Sequence, residues 1–179
     1  MPKQSQELYE NSQNTTIQSL IDALHNRDGL ARQATRNSLV AIGPPAVPFL
    51  IRALDSDNKD IRWEATKGLE EIGDPSAAEA LVWKLDHDHF AIRWLAAEGL
   101  IGFGMAGLNP LFAALLRDPD SAFLRDGAHH VLQALCDKGS SLHSVLLPLV
   151  DALGSLSGPR EIVPYVHMAM NALSDMNDA

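Results

Sequence analysis

The chain has 179 residues, of which 46% are hydrophobic and 6% are aromatic. This apolar content is sufficient to bury a sizeable core. Acidic residues outnumber basic residues 23 to 14, and the formal net charge is -9. Because a phosphate backbone is bound by a basic surface, the acidic balance argues against nucleic acid as the main partner. Cys136 is the only cysteine, which excludes an intrachain disulfide and a zinc site built from cysteines.

The amino-terminal segment is polar, rich in Gln, Asn and Ser, and without apolar periodicity over residues 1–14. This composition predicts a disordered polar arm. From Thr16 onward, apolar residues recur at helical spacing and predict a leading helix that caps the following repeats. The start of the chain lacks the apolar core of a signal peptide, and no later apolar run approaches the ~20 residues of a membrane span. We therefore predict a cytoplasmic protein without a membrane partner.

The rest of the chain is organised by a repeated pattern of arginine and leucine. Four arginines lie 30, 31 and 32 residues apart, and a leucine follows each one after seven residues: Arg32, Arg62, Arg93 and Arg125. Self-similarity at this period is typical of stacked helical hairpins. We predict an all-α fold, a right-handed α-solenoid, as one domain over residues 15–175. Its repeats are expected at about 28–54, 57–85, 88–116 and 118–153, with capping helices at both ends.

An aspartate precedes each clear first helix at a constant distance. Asp57 and Asp88 stand five residues before Arg62 and Arg93, where a carboxylate can accept the free amide hydrogens of a first turn. Asp120 has the matching place in the fourth repeat. The first helices should therefore begin near residues 28, 58, 89 and 120. We expect the four repeated arginines, with Asp57 and Asp88, to form an internal Asp/Arg ladder that joins adjacent repeats.

The buried face of each first helix can be located on a helical wheel. Leu69 and Leu100 lie at the centre of an apolar stripe that also holds small residues, which allow a partner helix to approach closely. Glycines then follow at the predicted helix ends, where a left-handed backbone is favoured: Gly43, Gly73 and Gly104.

Two stretches carry a resemblance to a known family, DNKDIRWEATKGLEEIGDPSAAEALVWKL at 57–85 and DHDHFAIRWLAAEGLIGFG at 86–104. They resemble the short HEAT-like repeats of phycobilisome (bilin) lyases and of many bacterial adaptor proteins. The resemblance covers roughly residues 28–136, and more weakly residues 16–175. It implies an α-solenoid, but these repeats serve many unrelated functions. HEAT-repeat di-iron hydroxylases use His-Glu dipeptides, which this sequence lacks.

Few residues suggest chemistry. His87 and His89 are ligand types for zinc, but the aspartate between them is assigned to a cap and no third histidine is placed nearby. His129 and His130 point about 100° apart on a helix and are expected at the surface. Cys136 has no implied histidine partner and is expected to be a buried structural thiol. We predict no catalytic residue, no metal and no cofactor.

The candidate partner-binding residues are three tryptophans and one arginine: Trp63, Trp94, Trp83 and Arg52. Trp63 and Trp94 hold the same repeat position, about 175° from the buried stripe, on an outer strip with apolar neighbours. Those neighbours are Val40, Ala97 and Ile101. Trp83 points away from the buried face of a second helix, where Arg52 stands one repeat earlier. Exposed aromatics beside arginine are typical interface anchors, although the indoles could instead pack over helix junctions.

These features predict a non-enzymatic interaction module or scaffold that presents a curved helical surface to a protein partner. The alternative, implied by the resemblance, is a bilin-lyase-like subunit that handles a linear tetrapyrrole. A second alternative is a DNA-binding HEAT-like protein, which the acidic net charge disfavours.

Overall fold

The computed structural model describes residues 2–138, 142–155 and 158–177. Met1 of the predicted arm and residues 139–141 of the predicted fourth repeat lie outside these ranges. Within them the regular structure is helical, without strands, which confirms the predicted all-α fold class. The chain divides into two compact units, residues 1–77 and 78–179, where the sequence predicted one continuous array. The boundary falls inside the predicted repeat 57–85.

Four α-helices are described in the first unit, α1 (Pro2–Ala23), α2 (Gly29–Ile42), α3 (Val47–Ala53) and α4 (Lys59–Ile72). Helix α2 packs between α1 and α4, and α3 also contacts α1 and α4. Apolar side chains from all four helices meet in a shared core: Ile17, Leu24, Leu39, Leu50, Ile61 and Leu69. This is the arrangement of hairpins that bury their apolar faces against neighbouring hairpins.

Helix α1 differs from the disordered arm predicted over residues 1–14. The helix begins at Pro2, although the side chains described before Ile17 are almost all exposed. Ile17 is fully buried and anchors the second half of the helix in the core. Side-chain bonds at helical spacing support the exposed half, including one from Gln6 Nε2 to Glu10 Oε1 at 3.2 Å. Once the packed half of the helix has formed, each further residue adds a backbone hydrogen bond. The polar composition of residues 1–14 does not reveal this extension.

Six α-helices are described in the second unit: α5 (Ala78–Lys84), α6 (Phe90–Phe103), α7 (Leu108–Arg117), α8 (Ala122–Asp137), α9 (His143–Gly154) and α10 (Val163–Asn177). Helices α6 and α8, the first helices of successive hairpins, lie side by side, and so do the second helices α5 and α7. Helix α9 packs on α8, and α10 covers α7 and α9. The carboxy-terminal helix therefore covers one end of this unit.

The helix boundaries agree closely with the repeat pattern. The first helices begin at Gly29, Lys59, Phe90 and Ala122, within two residues of the predicted positions. The predicted helix ends at Gly43, Gly73 and Gly104 have φ values of 75°, 70° and 59°. Gly73 has a left-handed backbone, and its N–H donates to the Leu69 carbonyl at 3.2 Å. A residue with a side chain would be strained in this conformation, whereas glycine adopts it freely and so ends the helix.

The N-caps lie one residue later than predicted. The side-chain oxygen of Asn58 accepts the N–H two residues ahead at 2.9 Å, and Ser121 Oγ accepts the N–H three residues ahead at 3.1 Å. His89 holds the cap position of α6 without a side-chain capping bond. The capping prediction is therefore wrong for three residues: Asp57, Asp88 and Asp120. Asn and Ser cap as well as Asp, and the cap is the residue directly before the first turn.

Three of the four repeated arginines bind the loop before their own helix rather than Asp57 or Asp88. Nη1 of Arg32, Arg62 and Arg93 donates to the carbonyl six residues upstream, at 2.9, 2.6 and 2.7 Å. Within the described residues, neither aspartate side chain forms an ion pair with these guanidinium groups. Each of these three arginines therefore joins a first helix to the segment before it. Arg32 also reaches the next repeat, where its Nη2 lies 3.4 Å from Asp60 Oδ2.

A buried ion-pair network, which the sequence analysis did not identify, joins α2 to α4. Arg36 is only 6% exposed and Glu64 only 4%. Arg36 Nη1 lies 2.5 Å from Glu64 Oε2, and Arg36 Nε donates to Glu71 Oε2 at 3.0 Å. Burial of either charge without the other would be costly. The ion pair therefore favours the one alignment of α2 and α4 in which the two side chains meet.

The stretch Phe90–Arg117 is long and apolar enough to cross a membrane by length and composition, and an 18-residue window in it has a mean hydropathy of 1.6. The prediction that no apolar run approaches this length is therefore wrong. In the structure the stretch is α6 and α7 joined by a 3-10 turn at Gly104–Gly107. Both helices contribute buried side chains to the second unit. Such a core gives the same apolar signal, so length and composition are weak evidence for a span.

Replacing Leu100 by alanine should lower the free energy of unfolding by about 2–5 kcal/mol, because a fully buried side chain is lost and a cavity remains. Leu100 packs closely on Gly107, where an added Cβ would lie 3.3 Å from Leu100 Cδ2. Denaturant unfolding followed by circular dichroism measures the loss. Met105→Ala, at a site 45% exposed in the same unit, is the control. A loss below about 1 kcal/mol for Leu100→Ala would contradict the assignment of Leu100 to the buried stripe of α6.

Replacing Arg36 by methionine should lower the free energy of unfolding by about 3–5 kcal/mol, because the buried Glu64 carboxylate would lose its nearest cation and keep only Arg32, whose Nε lies 3.8 Å from Glu64 Oε1. Adding Glu64→Leu to the same variant removes the stranded charge, and most of the stability should return. Urea unfolding of the wild type, both single variants and the double variant measures the coupling. If the double variant is as unstable as the sum of the two single variants, the charges do not interact and the network does not hold the helices together.

Candidate functional site

The four predicted partner-binding residues divide between the two units. Trp63 lies on α4 and Arg52 on α3, both in the first unit. Trp83 lies on α5 and Trp94 on α6, both in the second unit. The exposed fractions of Trp63, Trp94 and Trp83 are 37%, 46% and 54%. Their predicted exposure is confirmed, while their role in binding a partner stays a prediction.

In the first unit, Trp63 lies beside the buried ion-pair network. The guanidinium carbon of Arg36 is 5.6 Å from the Trp63 ring centroid, which is within the range of a cation–π contact. On the second-helix side of the same unit, the guanidinium carbon of exposed Arg52 is 4.5 Å from the Phe49 ring centroid. Both candidate residues thus take part in an arginine–aromatic contact, which restricts the conformations of their side chains.

In the second unit, a groove of about 300 Å³ lies between α6 and α8. Its lining residues are Phe90, Arg93, Trp94, Asp126, Gly127, His129, His130 and Gln133. The Phe90 and Trp94 ring centroids are 6.2 Å apart, and those of Trp94 and His130 are 4.8 Å apart. Three rings therefore form a continuous row along the groove, at distances typical of aromatic contacts.

Polar contacts fix both ends of this aromatic row. His130 Nε2 lies 3.2 Å from Glu98 Oε1, so the imidazole is held between a carboxylate and the Trp94 ring. At the other end, the Arg93 guanidinium carbon lies 5.7 Å from the Phe90 centroid and 4.1 Å from the Phe123 centroid. Arg93 is also bound to the loop before α6. The side chains at both ends of the groove are therefore held in place by contacts within this unit.

A second groove, also of about 300 Å³, lies between α5 and α7. Its lining residues are Glu79, Val82, Trp83, Asn109, Pro110, Ala113 and Arg117. The Arg117 guanidinium carbon is 3.8 Å from the Trp83 ring centroid, so the guanidinium stacks closely on the indole. Arg117 was not predicted from the sequence, because its contact with Trp83 depends on the pairing of two second helices.

The outer strip predicted around Trp94 is corrected by the structure. Ala97 is 3% exposed and Ile101 is 9% exposed, so both are buried. Helix α6 contacts α5 and α8, and its buried arc is therefore wider than one stripe. The sequence analysis also missed Phe90 and Phe123, which are 65% and 44% exposed. An aromatic residue in the first turn of a helix, where polar residues are expected, was the available signal.

The histidines and the cysteine show no catalytic arrangement among the described residues. His129 and His130, expected at the surface, are only partly exposed and line the groove. Cys136 is 1% exposed, and burial raises the pKa of its thiol, with Asp137 and Asp151 raising it further. A raised pKa favours the protonated thiol, and the predicted burial of Cys136 is confirmed.

No metal-binding group is formed in the part of the chain that the structure describes, where no three His, Cys, Asp or Glu residues converge on one point. The two histidines weighed as zinc ligands bond locally instead. His87 Nδ1 accepts the His89 backbone N–H at 2.9 Å. This bond closes the turn that precedes α6.

Comparison with known proteins bears on the fold. The family of HEAT repeats matches residues 17–89. Comparison with curated protein sequences finds no match. Among solved structures, the chain is similar to one from the complex of CpcE and CpcF of phycocyanin lyase from Nostoc sp. PCC7120, with a TM-score of 0.58 and 24% identity. The alignment covers 87% of this chain and 98% of that chain. The predicted resemblance to HEAT-like repeats is thereby confirmed.

Proposed function

We propose that the chain is a non-enzymatic protein-binding module in which exposed tryptophans anchor a protein partner. The observation that carries this proposal is the row of Phe90, Trp94 and His130 along the groove between α6 and α8. Trp94 is 46% exposed, and its ring is held by both neighbours. Rigid aromatic side chains of this kind lose little conformational entropy on binding and are common energetic centres of interfaces.

The charges around the groove support a protein as its partner. The lining combines Arg93 and Asp126 with neutral Gln133, so polar groups of both kinds surround the apolar row. A polar rim around an aromatic centre is the usual anatomy of a protein interface. Arg93 is already bound to backbone carbonyls, and the net charge of -9 gives no general attraction for a phosphate backbone.

Trp63, Trp83 and Arg52 are proposed as further anchors, each within its own unit. Their support is the same combination of exposure with a ring or guanidinium contact. Stacked helical repeats commonly present such residues on extended surfaces, which suits a scaffold role. We also propose that this binding takes place in the cytoplasm.

A second candidate function is that of a bilin-lyase-like subunit handling a linear tetrapyrrole. It is supported by the fold shared with a chain of the phycocyanin lyase complex and by the aromatic and histidine lining of the α6–α8 groove. Titration with a linear tetrapyrrole tests it through the absorption of the pigment and quenching of tryptophan fluorescence. Saturable changes in both signals, lost in Trp94→Ala, support the pigment function, whereas unchanged spectra contradict it.

Replacing Trp63 and Trp94 together by alanine should weaken binding of the natural partner at least tenfold, equivalent to ~1.4 kcal/mol, while the melting temperature shifts only slightly. The reason is that each exposed indole contributes little to the core but can bury ~150–250 Å² in an interface. The partner is first identified by affinity capture from a native extract, and its dissociation constant is then measured by calorimetry for the wild type and for each variant.

Met105→Ala serves as the matched control, because Met105 is 45% exposed and lies outside both aromatic clusters. The two single variants show which unit carries the interface. Unchanged affinity in the double variant would contradict the proposal. Unfolding of the double variant would also contradict it, because the indoles would then be packing residues.

A further inference from the structure

We infer that the groove between α5 and α7 binds a side-chain carboxylate of the protein partner, with Arg117 as the carboxylate-binding residue and Trp83 as the residue that positions it. This inference rests on the proposed protein-binding function and names the chemistry recognised at one of its surfaces. The residues concerned all lie in the second unit.

The geometry of Arg117 is that of a positioned guanidinium. Its central carbon lies 3.8 Å from the Trp83 ring centroid, a stacking distance. The N–H donors of a guanidinium point outward in its plane, so stacking on a ring leaves them available. Trp83 therefore restricts Arg117 without using its hydrogen-bonding capacity, which lowers the entropic cost of binding an anion.

Among the described residues, Arg117 has no polar partner, unlike the arginines that hold the helices together. Arg36 pairs with two carboxylates, and Arg93 donates to backbone carbonyls. Within the described ranges, the guanidinium of Arg117 has neither a hydrogen bond nor an ion pair, although Glu79 lines the same groove. An arginine fork that is fixed but unpaired matches the two oxygens of a carboxylate.

The remaining lining defines what can accompany the carboxylate. Asn109 offers a side-chain amide as a second polar group, and Val82, Pro110 and Ala113 form an apolar wall. A partner residue with a carboxylate next to an apolar residue satisfies both parts of the groove. The indole of Trp83, 54% exposed, adds contact area beside them.

The neighbouring charges favour a carboxylate over a phosphate. Glu79 lies in the groove, and Asp118 directly follows Arg117 in the chain. A negative charge in the groove repels a phosphate group, with a charge of about -1.5 to -2, more strongly than a singly charged carboxylate. A cationic partner side chain is disfavoured because Arg117 already covers the indole face. The groove therefore fits an acidic segment of an unmodified protein.

A peptide titration followed by nuclear magnetic resonance tests this assignment without the natural partner. The probe is acetyl-Leu-Glu-Leu-amide, compared with the same peptide carrying Gln or phosphoserine in place of Glu. The reporter is the indole N–H resonance of Trp83, assigned by its loss in Trp83→Phe. We expect a saturable shift with the Glu peptide and at least fivefold weaker binding of the Gln and phosphoserine peptides.

Three variants separate the role of Arg117 from charge in general. Arg117→Gln should abolish the Trp83 shift, and Arg117→Lys should weaken binding at least threefold, since lysine keeps the charge but not the planar fork. Arg160→Gln, which removes a different exposed arginine of the same unit, should bind the Glu peptide as the wild type does. Circular dichroism confirms that each variant is folded.

Several results would overturn the inference. These are equal binding of the Gln peptide, tighter binding of the phosphoserine peptide, or a Trp83 shift that survives in Arg117→Gln. Failure of the proposed function is distinguishable, because it is measured on the natural partner with the Trp63 and Trp94 variants. A carboxylate-specific shift at Trp83 alongside unchanged partner binding in those variants would reject Trp63 and Trp94 as anchors and leave the Arg117 site standing.

Discussion

The hydrogen bond from a repeated arginine to the carbonyl six residues upstream is the interaction on which much of this structure depends. Backbone carbonyls in a tight connection between helices need a donor, and an arginine in the first turns can supply one from its own helix. The bond fixes the path of the chain into each first helix. At Arg93 it has a second effect, because the same guanidinium contacts Phe90 and Phe123 and so helps to shape the aromatic groove.

The helices could be predicted because their signals are local. Glycine at a helix end and leucine seven residues after arginine depend on a few neighbouring residues, and the helices begin where this pattern placed them. Burial was harder to predict for Ala97 and Ile101, because a helix in an array has neighbours on several sides. The Arg36–Glu64 pair escaped prediction for a related reason, since its residues lie 28 positions apart and meet only in one register.

In the candidate sites, too, local features could be predicted from the sequence and contacts between helices could not. The exposure of the tryptophans follows from their position on a helical wheel, and it was predicted correctly. The residues that contact them could not be predicted. His130 and Arg117 come from the next hairpin, and they meet Trp94 and Trp83 only when the helices pack side by side. The tryptophan of each site could thus be predicted from the sequence, whereas its polar neighbour is known only from the packing of the helices.

The buried ion pair also makes the repeats unequal. The position of Arg36 is held by Thr66, Ala97 and His129 in the later repeats, and that of Glu64 by Ala34, Leu95 and Gly127. Exchange of either α2 or α4 for the equivalent helix of a later repeat would leave a buried charge without this counterpart. One buried contact therefore constrains the order of these two helices, which the repeating pattern alone would not do.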